Sequence, residues 1–158
     1  MAIDLDRLLG SDLSVVPHLV AHDASEVDFV RVRRPIRGIL AGDATEAFDL
    51  ASVAGRDNLA QALILRMLTP RGSLAPLGHA AYGSRLHELI GQRKTETLRS
   101  LCRAFVLEIV AQEPRVENKA VALAFDPQAE TASSFVFTLA VQPLQDAETL
   151  SLSLEVGL

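Results

Sequence analysis

The sequence predicts an α+β fold: helices packed on one face of a small antiparallel C-terminal sheet, preceded by an irregular N-terminal extension. Three observations carry that prediction. Two stretches, residues 57–68 and 95–112, place apolar residues at helical spacing. Three later stretches, residues 116–125, 134–142 and 149–156, alternate apolar and polar residues at period two. Consecutive strands joined by short turns favour antiparallel pairing, and helices that precede such a run pack on one of its faces.

Residues 1–54 set few firm elements and read as an extension or arm, and residues 55–158 form the domain. Within the extension, residues 27–34 (VDFVRVRR) put Val30 and Val32 on one face and Arg31 and Arg33 on the other. That suits a half-exposed strand, broken by Pro35 and Gly38. Residues 46–53 (EAFDLASV) set Phe48 and Leu50 at period two, a second strand. Asp57, just after Gly55, stands as the N-cap of a helix. Its run NLAQALILRML is apolar on nearly every side, the mark of a buried helix. Thr69-Pro70-Arg71-Gly72 stops it, because Pro70 lacks an N–H and pushes Thr69 toward extended geometry.

Two turn signals follow, Pro76-Leu77-Gly78 and Tyr82-Gly83-Ser84, and then a short helix from Arg85 to Ile90 closed by Gly91. The next long helix takes Thr95 as its cap, Leu98, Leu101, Cys102, Phe105 and Ile109 as its apolar stripe, and Pro114 as its end. In the sheet, Val121, Leu123 and Phe125 share a face of the first strand, and Phe135, Phe137, Leu139 and Val141 of the second. Leu150, Leu152, Leu154 and Val156 share a face of the third, against Ser151, Ser153 and Glu155. Asp126-Pro127 and Pro143 to Asp146 supply the links.

A chain of 158 residues with 49% hydrophobic content can bury its own core and does not read as disordered. Trp is absent and aromatics make up 4%, so the core is aliphatic and a stacking platform for sugars or single-stranded nucleic acid is disfavoured. A net charge of −5 suits a phosphate backbone poorly, and the cluster Arg31, Arg33, Arg34 and Arg37 reads as a solvated or partner-facing strip. No nucleic-acid partner is expected. The lone cysteine, Cys102, permits no intrachain disulfide, which suits the cytoplasm. The opening MAIDLDRLLG carries acids where a secretory leader needs basic residues, and no apolar run approaches the length of a membrane span.

Few residues offer catalytic or metal chemistry. His18 and His22 are four apart, but Pro17 and the lack of a third ligand argue against zinc. His79 and His87 stand beside no nucleophile, and Cys102 on the apolar stripe reads as a buried, inert thiol. Neither a Gly-x-Ser-x-Gly elbow nor a phosphate-cradling glycine loop is present. Glu88, Glu108 and Glu113 are conceivable acids for a two-carboxylate glycosidase, yet nothing sets their separation or surrounds one with an apolar pocket. No catalytic residue, cofactor or metal is assigned.

Two segments stand out. One combines TPRG (69–72) with YGSRLHEL (82–89), which a turn-rich connector alone would explain. The other is Glu113-Pro114-Arg115. A helix stop needs only the proline. The flanking acid and arginine would set a carboxylate and a guanidinium fork at a rigid corner, suited to bidentate binding of a partner.

In order, these segments resemble the phage-tail baseplate wedge family that includes the W-type baseplate protein and the TssE subunit of type VI secretion. The matching parts are Asp57-Asn58-Leu59 leading an apolar helix, TPRG, YGSRLHEL, a second helix, Glu113-Pro114-Arg115 and a terminal three-stranded sheet, over roughly residues 50–158. The wording of TPRG and YGSRLHEL is similar to members from extracellular contractile injection systems and phage-like particles. The resemblance implies a structural, non-enzymatic component of a contractile injection system or phage tail, present as six copies per baseplate. It implies assembly in the cytoplasm and residence in the finished particle.

The resemblance carries docking on the helical core bundle of the wedge to Glu113, Pro114 and Arg115. It also implies that the terminal sheet seeds the first sheath ring by added strands, with Leu150, Leu152 and Leu154 near that contact. The partners it implies are baseplate wedge proteins and the first ring of sheath protein, with central hub or tube proteins as further candidates. On this reading Arg115→Ala leaves the fold intact and blocks incorporation. The alternatives are a free-standing adaptor or regulatory binding domain, or a lysozyme-like peptidoglycan hydrolase. The family has carried a lysozyme label, which nothing in this sequence supports. Residues 1–50 lie outside the resemblance.

Overall fold

The computed structural model describes residues 4–15, 31–35 and 46–158. The first elements are a one-turn helix α1 (Leu5–Leu9), β1 (Ser11–Leu13), β2 (Arg31–Pro35), β3 (Glu46–Leu50) and β4 (Ser52–Ala54). Two long helices follow, α2 (Gly55–Leu68) and α3 (Glu96–Ala111), and then β5 (Val116–Phe125), β6 (Ser134–Pro143) and β7 (Leu150–Gly157). The α+β fold predicted from the sequence is the fold observed. The C-terminal sheet is antiparallel in the order β5-β6-β7.

Its register builds cross-strand rows on the inner face: Phe125–Phe137–Leu154, Leu123–Leu139–Leu152 and Val121–Val141–Leu150. Such rows are the unit of sheet stabilisation. Phe135, Phe137, Leu139 and Val141 of the central strand are buried, and so are Leu59 and Leu63 of α2 and Phe105, Val106 and Ile109 of α3. Each such side chain contributes about 1.5–3 kcal/mol of burial. Phe125 meets Phe135 and Phe137 edge-on, with centroids 5.8 and 5.6 Å apart.

The helices depart from expectation in detail. α2 begins at Gly55, so Asp57 lies in its first turn and the cap position is Ala54, which makes no side-chain cap bond. Gly55 enters the helix at φ +61°, a left-handed backbone conformation that favours glycine. α2 is not buried on all sides, for Leu68 is 74% exposed. On α3, Thr95 caps as expected, its hydroxyl accepting from Leu98 N–H at 3.1 Å. The buried stripe is rotated from the predicted one: Val106 and Val110 join the core, and Leu101 is left 42% exposed. The expected helix from Arg85 to Ile90 is a 3₁₀ turn over Leu86–Leu89.

The predicted strand at 46–53 is two strands with different partners. β3 pairs with β2, and β4 pairs with β1, with Ala51 buried between them. Part of the stretch set apart as an extension is integral to the domain. Leu9 is fully buried in the core, and Asn58 and Gln61 of α2 donate to the carbonyls of Leu9 and Leu13 at 3.0 and 2.8 Å. The expectations for His18, His22, Val30, Arg37 and Gly38 lie outside the described residues.

Candidate functional site

Glu113, Pro114 and Arg115 form the corner between α3 and β5, at the end of a helix whose last turn closes on Gln112. The sequence suggests a free carboxylate and a free fork. The geometry instead pairs them with each other. Arg115 Nε donates to Glu113 Oε1 at 2.6 Å, and Nη2 donates to Oε2 at 3.1 Å. Arg115 Nη1 donates to the Leu9 carbonyl at 2.9 Å, fastening the end of α1 to the corner. Arg66 of α2 brings its Nη2 to 3.7 Å from Glu113 Oε2 and stacks over Tyr82, 4.8 Å from the ring centroid.

Burial pushes the Glu113 carboxyl up, but the Arg115 fork and then the Arg66 charge outweigh it and hold it below the usual carboxylate range. The Glu113 side chain is only 3% exposed. It therefore acts from inside the fold, and the outward face of the corner is Pro114, exposed, with the half-buried Arg115 beside it. Arg115→Ala would strand a buried carboxylate, so the expectation that it spares the fold gives way to one of destabilisation.

TPRG and YGSR are brought together. Ser84 N–H donates to the Thr69 carbonyl and Arg71 N–H to the Ser84 carbonyl, both at 2.8 Å, while Ser84 Oγ donates to the Met67 carbonyl at 2.6 Å. Gly83 crosses so closely that a Cβ would lie 2.5 Å from the Thr69 carbonyl oxygen, at φ +104°. The glycines and the serine thus make a clasp between the end of α2 and the 3₁₀ turn. Arg71 extends from it to pair with Glu108 of α3.

Leu150, Leu152 and Leu154 sit on the inner face of β7, half-buried, at the end of the sheet order. No further strand pairs with β7 among the described residues. Each of the three carboxylates weighed for hydrolysis is paired with an arginine. Glu88 is exposed, and the Arg85 fork holds its carboxyl below the ordinary range through bonds of 2.8 Å. Glu108 is taken by Arg71 and Glu113 by Arg115. A glycosidase acid needs the opposite shift, upward in an apolar pocket. Burial lifts the Cys102 thiol to about 11, which keeps it a thiol. Among the described residues no group of three His, Cys, Asp or Glu could hold a metal ion, and no helix is long and apolar enough to cross a membrane.

The reading from sequence missed Arg66, the Leu9 carbonyl and a third clamp, Arg56, which holds Asp146 at 2.8 Å and Glu148 at 3.1 Å. Arg66 had a signal: a lone cation inside the apolar run ILRML needs a partner if it is buried. The carbonyl had none.

No protein-family model matches the chain, and no curated protein matches it significantly. Among solved structures, the chain is similar to a crystal structure described as "putative tail lysozyme" from Geobacter sulfurreducens. The TM-score is 0.54 and the identity 16%, and the likeness covers 65% of this chain and 89% of that one. At that identity the likeness is one of fold.

Proposed function

We propose that this chain is a structural baseplate component of a contractile injection system or phage tail. On this reading it docks on the wedge core bundle through the corner at Pro114 and Arg115 and offers β7 for sheath assembly. The observation that carries the reading is the sheet edge. A well-packed antiparallel sheet ends in a strand of eight residues, Leu150–Gly157, whose outer side is unpaired among the described residues. An unpaired edge is a template for an added strand, and native proteins normally blunt or cover one they do not use. The fold likeness to a protein described in terms of a phage tail supports the same setting.

Glu113 takes a supporting part here. It fixes the Arg115 fork and the turn at Pro114, so the outward face of the corner is presented without conformational loss on docking. The reading is non-enzymatic. The neighbour's description includes the word lysozyme, but Glu88, Glu108 and Glu113 are each tied to an arginine here.

The test is Pro114→Asp, which places a charge on the exposed corner and leaves the buried pair in place. The variant, produced in native cells, is expected to fold as the parent does by circular dichroism and to be lost from sedimenting particles. Normal incorporation of a folded Pro114→Asp chain would remove the docking role from this corner.

A further inference from the structure

Beside β7 lies a groove of about 250 Å³. Ile64 and Leu68 of α2 and Ile90 after the 3₁₀ turn line one side, and Leu154 and Val156 of β7 line the other. Its volume is below the roughly 300–1,000 Å³ of small-molecule sites. Two apolar side chains on the first side are largely exposed, Leu68 at 74% and Ile90 at 66%.

The groove opens over the inner face of the sheet at its last strand, where Phe137 of β6 joins Leu154 and Val156 of β7 in the lining. Inner residues of β6 are shielded by a strand on each side and are at most 1% exposed, while those of β7 remain half-buried. A fourth strand, about 4.8 Å beyond β7, would lay its inward side chains over Leu68 and Ile90. A helix in the groove would cover the apolar walls but leave the edge N–H and C=O groups of β7 unpaired. The outward face adds a charge condition. Glu155 is exposed and makes no ion pair among the described residues. A residue opposite it on an added strand is favoured when basic.

We propose that the groove is a side-chain reader for an added strand. Its occupant is an extended partner segment with apolar residues at alternate positions and a lysine or arginine facing Glu155. The inference rests on the reading of β7 as an assembly edge, and it adds that α2 and the 3₁₀ turn select the sequence that pairs there.

The test titrates the full ¹⁵N-labelled chain with three synthetic peptides. One alternates valine and lysine, a second has the same composition with the valines grouped together, and the third is the alternating peptide N-methylated at alternate amides. The expected result is that the alternating peptide shifts and protects β7 amides, and that grouping or N-methylation weakens it at least tenfold. Leu68→Glu and Ile90→Glu, both at exposed positions, are each expected to weaken it about tenfold. Glu155→Lys is expected to shift preference to an alternating valine–glutamate peptide. Protection of β7 that N-methylation abolishes, but that Leu68→Glu and Ile90→Glu leave unchanged, would overturn the groove while sparing the edge. No protection of β7 by any peptide would overturn both.

Discussion

Two buried carboxylates, Glu113 and Glu130, look alike in chemistry and differ in what surrounds them. Each side chain is 3% exposed or less, and each meets two cations. Glu113 meets Arg115 two residues on and Arg66 from another helix. Glu130, in the link between β5 and β6, meets Arg99 at 2.5 and 2.8 Å and Lys94 at 2.8 Å. Glu130's cations have other company. Lys94 also donates to the carbonyls of Thr131 and Ser134, and Arg99 also lies over the rings of Phe125 and Phe135. The cations of Glu113 also have company, Arg115 at the Leu9 carbonyl and Arg66 at Gln112 and the Tyr82 ring, but Arg66 Nε is buried without a hydrogen-bond partner. The difference teaches that an acid flanked by a proline and an arginine need not be a binding site in itself. It can be the fastening behind one.

The largest expected effect follows from that contrast. Glu113→Gln should cost about 3 kcal/mol in urea unfolding, because it leaves two partly buried arginines facing a neutral amide. Glu130→Gln should cost less, about 2 kcal/mol, because Lys94 and Arg99 leave no buried nitrogen without a partner, whereas Arg66 Nε already lacks one. Equal costs would show that the unpartnered nitrogen does not set the two sites apart.

pH sharpens the comparison. The Arg99 fork, with Lys94 behind it, holds the Glu130 carboxyl down to about 2, against an ordinary value of 4.5. A lowered folded-state value adds stability that is fully present above the unfolded value and is lost as pH falls through the folded one. The difference in stability between the parent and Glu130→Gln should therefore hold from neutrality to about pH 4.5 and fade toward pH 2. A difference that stayed constant down to pH 2 would contradict this. The smallest effect is expected for Arg115→Lys, about 1 kcal/mol, since the charge stays and the two-pronged geometry goes.

Residues close in sequence made the fold legible, and distance hid the rest. Alternation placed the three C-terminal strands within a residue of their observed ends, and β6 and β7 read alike, but it merged β3 with β4, ended β2 before Pro35 and left β1 unread. What alternation could not say is that β6 would be central and β7 an edge, because that depends on pairing order. The stripe on α3 was read one position off, since Leu101 and Val106 are both apolar and only packing decides between them. α1 was not legible: five residues, LDRLL, carry too little period, and Leu9 matters as much for its carbonyl as for its side chain. The corner at Glu113 to Arg115 was visible because its members are adjacent. Its fastening to Leu9, 106 residues away, and to Arg66 was not.

We propose that the chain is a working part of a tail-like particle. The most direct measurement is to tag the chain in its native cells, separate particles from free protein by sedimentation, and identify what travels with it by mass spectrometry. The tag is expected to sediment with sheath and wedge proteins. A chain found only as free monomer, in cells that are making particles, would contradict it.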